Sequence, residues 1–324
     1  MGENAESASC REKRTIVNSL STGTRTPTAR KLQLAALLRH LREREGITQR
    51  DAGGAVWPRS SAGSVQNKIA RLESGDTGIE AEDLHKLLAV YGVVDGELAD
   101  LARELQADTS QRGRWSGFRS IYSEQYRRYI DLEEDALLIR HVATEQVPEL
   151  LQCRSYMEAE FAAVREGSPA LAPPAIEARF ARQEQVLFRD EPPQVHAVLS
   201  ESCLRRVQGN KAVMREQLEH LISLSKKRPN IQLQVVPFAP RPLRTTAIQE
   251  TGILERFALL RLAAPTLPGL EPGHLDFAFT RTGNELSRSD DVRHYETLWR
   301  RATTAALPVT ESRLFLREVL YSFG

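Results

Sequence analysis

The stretch SVQNKIARLESG, residues 64–75, places Val65, Ile69 and Leu72 at i, i+4 and i+7, one apolar stripe of a 3.6-residue helix. Its other face carries Gln66, Asn67, Ala70 and Arg71. Ser64 suits an N-cap and Gly75 a terminator, so the spacing predicts a helix over about 64–74. Immediately upstream, Gly46 sits where a left-handed C-cap belongs, and TQRD (48–51) has a capping pattern in which the Thr48 hydroxyl accepts from the Asp51 backbone. That predicts a short helix ending near Val56, because Pro58 makes continuation costly. The loop PRSSAG then leads back to the quoted stretch.

Two short capped helices in tandem are the elements of a helix-turn-helix unit, whose second helix lies in the DNA major groove. The inner face of that helix has to be apolar, and the outer face has to match base edges. Gln66 and Asn67, read as first-turn residues, can pair bidentately with adenine, and each good pair is worth roughly 1–3 kcal/mol of discrimination. Lys68 and Arg71 flank them and reach phosphates, and Ser64 and Arg50 stand beside the same face. Gln49 opens the preceding helix, so its backbone amide and side chain can meet a phosphate. Taken alone, a polar helix face is ordinarily a solvated one. The caps, the tandem arrangement and the local charge argue for DNA.

Net charge is only +1 over 324 residues, so the chain as a whole is not a polycation. Charge is segregated, however. Residues 11–75 hold 13 Lys/Arg against 5 Asp/Glu, and residues 76–108 hold 2 against 9. Hydrophobic content of 41% supports real cores, and the length suggests two domains. Cys10, Cys153 and Cys203 form neither a disulfide framework nor a zinc pattern. No apolar run is long enough to span a membrane, and no signal core is present, so a cytoplasmic protein, nucleoid-associated when bound to DNA, is expected.

Residues 1–28 read as a flexible polar arm, 29–106 as an all-α domain, 107–114 as a linker and 115–324 as a mixed α/β domain. In the last, long amphipathic helices are expected near 122–144, 174–189, 210–227, 289–305 and 310–321. Strands are expected at 196–201, 231–238, 257–262 and 275–280, a sheet of four at most. The acidic run DLEEDA (131–136) reads as the wet face of a helix, and His141 and His196 as hydrogen-bonded structural residues. Glu201 and Arg205, at i, i+4 after a strand, read first as a helical ion pair and second as ligand-binding candidates in a cleft. Ser223 and Lys226 have S-x-x-K spacing without its companion motifs, and SKKRPN (225–230) reads as a helix end that favours cations. No nucleotide, hydrolase or zinc-protease motif occurs, so no catalytic residue, cofactor or metal site is expected.

LREREGITQRDAG (41–53) and NKIARLESG (67–75) resemble the Xre-type, lambda-repressor-like helix-turn-helix domain. VPELLQCRSYMEA (147–159), RFARQEQVL (179–187), the segment 200–221 and NIQLQVVPF (230–238) resemble the uncharacterised C-terminal domain of many actinobacterial Xre-type regulators. The resemblance implies an all-α lambda-repressor-like domain, then an α/β domain with a small sheet, in a sequence-specific regulator that binds double-stranded DNA. A homodimer formed through the C-terminal domain, which also senses an effector, is expected. The alternative is an antitoxin-like module that binds a small cognate protein and autoregulates its operon. This chain departs from the pattern in five places, one of them a longer segment, APRPLRTTAIQETGILER (239–256), between VVPF and FALLRL. The link WPRSSAG is long, Gly53 and Gly54 lie inside a helix, and VPELLQC carries Glu149 and Cys153 where Gly and Thr are usual. Thr280 or Arg281 stands where an acid is common. The two glycines cost roughly 1 kcal/mol each relative to Ala, and close helix approach is the structural reason preferred for them.

Overall fold

The computed structural model describes residues 26–108, 122–164, 172–238, 256–267, 273–280, 286–287 and 290–324. The chain divides into two compact units, 1–117 with 262–275, and 118–261 with 276–324. The expected N-terminal arm lies outside the described residues up to Arg25, as does most of the expected linker.

Among the described residues the first unit is a bundle of five helices: α1 (Pro27–Arg44), α2 (Gln49–Val56), α3 (Ala62–Glu73), α4 (Ala81–Val90) and α5 (Glu97–Asp108). Helix α1 starts two residues earlier than the periodicity suggests. Thr26 caps it, and Pro27 at the first helical position has no amide to leave unpaired. The apolar stripes converge on one core of Leu37, Leu38, Leu41, Ala52, Ile69, Leu84, Leu87 and Tyr91. The helices stop where left-handed glycines let the chain turn. Gly46 and Gly75, at φ 67° and 65°, follow α1 and α3.

The second unit is a mixed α/β layer structure. Its elements run α6 (Glu124–Asp135), β1 (Leu138–Ala143), α7 (Arg154–Val164), α8 (Ala172–Leu187), β2 (Gln194–Ser200), α9 (Glu201–Arg205), α10 (Lys211–Lys227), β3 (Ile231–Val236), β4 (Phe257–Ala263), β5 (His274–Thr280), β6 (Leu286–Ser287), α11 (Asp290–Ala305) and α12 (Val309–Tyr321). They build a six-stranded sheet in the order β3-β2-β1-β4-β5-β6. Strands β1, β2 and β3 are parallel, and β4 runs antiparallel to β1.

The sheet is larger than the four strands read from the sequence. The missed central strand is β1, which lies inside the segment read as one helix over 122–144. Residues 139–143 are all buried, so β1 lacks the alternation that marks a half-exposed strand. Helix α6 ends at Asp135 before it. The acidic run is also corrected. Asp131, Glu133, Glu134 and Asp135 are buried, not a solvated face.

Candidate nucleic-acid interface and C-terminal cavity

Helices α2 and α3 pack closely because Gly53 has no side chain. A Cβ built there would lie 2.8 Å from the Cβ and the carbonyl oxygen of Val65. Gly54, one residue on, meets nothing within 4 Å. The close approach read from the sequence therefore belongs to Gly53 alone. Val65, Ile69 and Leu72 are buried, and Ser64, Gln66, Asn67, Lys68 and Arg71 are exposed.

The start of α3 differs from the sequence reading. Ser61, not Ser64, is the N-cap, and its hydroxyl accepts from the Ser64 amide. Ala62 and Gly63 join the helix, which shortens the link to 57–61. Gln66 and Asn67 accordingly sit in the second turn, behind the small residues Ala62, Gly63 and Ser64.

The side chains proposed to touch DNA fall into two sets. Those of Ser64, Gln66, Asn67, Arg50 and Arg71 have no hydrogen bond or ion pair among the described residues, and of these Arg50 and Gln66 line one shallow depression with Thr48 and Gln49. The others are held by the domain itself. The Lys68 ammonium lies 3.6 Å from the centre of the Trp57 ring and 3.7 Å from the Asp83 carboxylate. Trp57 in turn donates its indole N–H to Asp83. The Gln49 amide donates to Glu73, which also takes two hydrogen bonds from Arg42. Glu73 thus braces the end of α3 against α1 and the start of α2. The backbone of Gln49 remains at the first position of α2, where Thr48 accepts from the Asp51 amide as expected.

The second unit contains a cavity of about 330 Å³, lined mainly from α6, β1, the turn at 149–151, α8 and β4. Buried glutamines fix that turn. Gln183 donates to the carbonyls of Glu149 and Gln152. Gln217 accepts from the Cys153 amide and donates to the Leu151 carbonyl. Glu149 is thereby aimed at two guanidiniums. Its carboxylate accepts from Arg179 at 3.1 Å and Arg182 at 2.6 Å, and from the Tyr126 hydroxyl. Arg182 also pairs through two nitrogens with Glu133, which is fully buried, and Arg179 pairs with Glu160 at 2.6 Å. The neighbouring arginines hold the Glu149 carboxyl down at about 2 despite the opposing effect of its burial. Burial pushes the Tyr126 and Tyr129 hydroxyls well up, which keeps both protonated.

His141 lines the same cavity. The expectation that it is hydrogen-bonded does not hold at Nε2, which is buried without a partner among the described residues. Burial, then the charges of Arg256 and Arg182, lower this imidazole to about 3, so it is neutral at physiological pH. His196 does have its partner, Gln234 at 2.8 Å. Glu201 and Arg205 form an i, i+4 pair at 2.5 Å, Glu201 also accepts from the Phe238 amide, and neither residue lines the cavity. The sequence reading missed Tyr126, His141, Glu149, Arg179, Arg182 and Arg256 as one constellation. The available signal was the pairing of a buried-looking helix RFARQ with an acid in VPELLQ.

A tight helix pair on a five-helix bundle, with an exposed amide-bearing face, defines a DNA-binding protein of the helix-turn-helix class. A family model described as a helix-turn-helix domain matches residues 33–102. A second, described as a domain of unknown function (DUF5753), matches residues 126–318, more than half of the chain, which therefore belongs to the DUF5753 family. No curated protein and no solved structure matches the chain. Among the described residues no helix is long and apolar enough to cross a membrane.

Proposed function

We propose that this protein is a sequence-specific transcription regulator of the Xre type, which inserts α3 into the major groove and reads bases with Gln66 and Asn67. The observation that carries the reading is that these two amides stand exposed and unbonded, Asn67 opposite the buried Val65–Ile69–Leu72 stripe and Gln66 on its flank. A side chain held by no neighbour loses nothing internal when it turns to a base edge. Arg50 and Arg71 flank the pair and supply phosphate contacts, and the first amides of α2 face the same backbone. Lys68 contributes charge from its place on Trp57, and Ser64 contributes a hydroxyl near the helix start.

One such domain makes few contacts, and a homodimer doubles them over two half-sites about 34 Å apart. We assign dimerisation and effector sensing to the C-terminal domain. Selection of bound sequences from a random DNA pool, with the full chain as bait, tests this reading. The expected product is an enriched site with two related halves. A pool that shows no enrichment overturns it.

A further inference from the structure

The cavity of the second unit has a lopsided hydrogen-bond inventory. Its carboxylates are already paired. Both oxygens of Glu149 take hydrogen bonds, as do both oxygens of Glu133 behind it, and Glu160 takes one from Arg179. What is left over can donate. Arg256, at the head of β4, has no hydrogen bond or ion pair among the described residues. The Arg179 Nε is buried and unpartnered, and so is the His141 Nε2. The register of β1 on β4 sets His141 opposite Ala258, two residues from Arg256 along the chain, so the two leftover groups share one wall.

A buried polar atom with no partner is costly, so the cavity is built for something that supplies acceptors. Burial strips His141 of its charge at physiological pH, and the nearby Arg256 charge adds to that effect. An anionic group placed between them would relieve both. The rest of the lining is aromatic. Phe161 and Phe279 face the space, and Phe279 stacks on Tyr129 at 4.2 Å between ring centres. The volume lies at the small end of the usual range for ligand pockets, about 300–1,000 Å³.

We propose that this cavity binds a small aromatic carboxylate, with the carboxylate on Arg256 and His141 Nε2 and the ring against Phe279. The proposal rests on the assignment of effector sensing to this domain and supplies the site and the chemical class. A cationic ligand is disfavoured because the carboxylates it would need are already spent on Arg179 and Arg182.

The test is a calorimetric titration of the full chain, without DNA, using indole-3-acetate, its neutral amide and tryptamine. The same series is run on Arg256→Gln and His141→Phe. Arg256 holds no internal partner among the described residues, so its neutralisation leaves the folded chain intact, which a melting curve verifies. The acid is expected to bind at millimolar concentration or below, and the amide and amine at least tenfold more weakly. Arg256→Gln should weaken the acid about tenfold and leave the amide unchanged. His141→Phe should also weaken the acid. Equal binding of the three compounds, no binding of the acid at millimolar concentration, or an unchanged affinity in Arg256→Gln would overturn the proposal. With no DNA in the cell, either result leaves the groove reading to be judged by its own selection experiment.

Discussion

The contact between α2 and α3 can be tested with two neighbouring glycines. In Gly53→Ala the new methyl would meet the Val65 Cβ and carbonyl oxygen at 2.8 Å and its carbonyl carbon at 3.0 Å. Carbon contacts are comfortable at roughly 3.5–4.0 Å, so the helices must part by about 1 Å. The obstructing atoms are a Cβ and the backbone of α3, and no flexible side chain end can swing aside. Overpacking of this kind costs about 1–3 kcal/mol, and the better helix propensity of Ala returns about 1. The net expectation is a loss of up to about 2 kcal/mol. Gly54→Ala adds the same methyl to open space and should gain up to about 1 kcal/mol. Backbone hydrogen exchange in α3, measured on the full chain, reads the difference. The slowest amides between Val65 and Leu72 should exchange about tenfold faster in Gly53→Ala and several-fold slower in Gly54→Ala, since about 1.4 kcal/mol is a factor of ten. Equal rates in the two variants would refute the packing argument.

Other expectations follow from the same structure. Operator affinity should fall on a log–log salt plot with a slope of about −0.9 per phosphate neutralised, and Arg71→Gln should make the slope shallower by about that amount per protomer; an unchanged slope would remove Arg71 from the interface. Glu133→Ala leaves the Arg182 guanidinium buried with a lost partner and should cost about 3–5 kcal/mol in a urea melt, so an unshifted midpoint would contradict the network. Acid should destabilise the second unit in two overlapping windows. His141 is lowered from 6.5 to about 3, so only the unfolded chain takes up its proton as pH falls below 6.5, and the loss continues until about 3. Glu149 is lowered from 4.5 to about 2, and its contribution is present above 4.5 and lost between those values. Between pH 7 and 5 the His141 part amounts to about 2 kcal/mol, and His141→Phe should abolish that share; His196 and His220 are lowered too and keep a residual slope.

The N-terminal helices were legible because periodicity and caps agreed. Leu34, Leu37, Leu38 and Leu41 sit at helical spacing, and Thr48 caps as its neighbours predict. The start of α3 was misplaced because two serines three residues apart both suit a cap, and Ser61 uses Ser64 as its hydrogen-bond donor. The second unit hid its centre for a different reason. Strand β1 is buried on both faces and therefore shows no alternation. The acidic run on α6 looked solvated because its mate, Arg182, lies 49 residues away along the chain. In the sequence Glu149 stands out only as a departure from the family pattern. Its role depends on Gln183 and Gln217 clamping a turn, which spacing alone does not reveal.

The central claim is that Gln66 and Asn67 read DNA bases, and the Gln66→Ala/Asn67→Ala double variant tests it most directly. The measured quantity is the ratio of affinities for the selected operator and a scrambled duplex at one salt concentration. With each bidentate amide–adenine pair worth roughly 1–3 kcal/mol, the ratio should collapse by at least about tenfold while weak, salt-sensitive binding to both duplexes persists. A ratio that stays at the unmutated value would contradict the account.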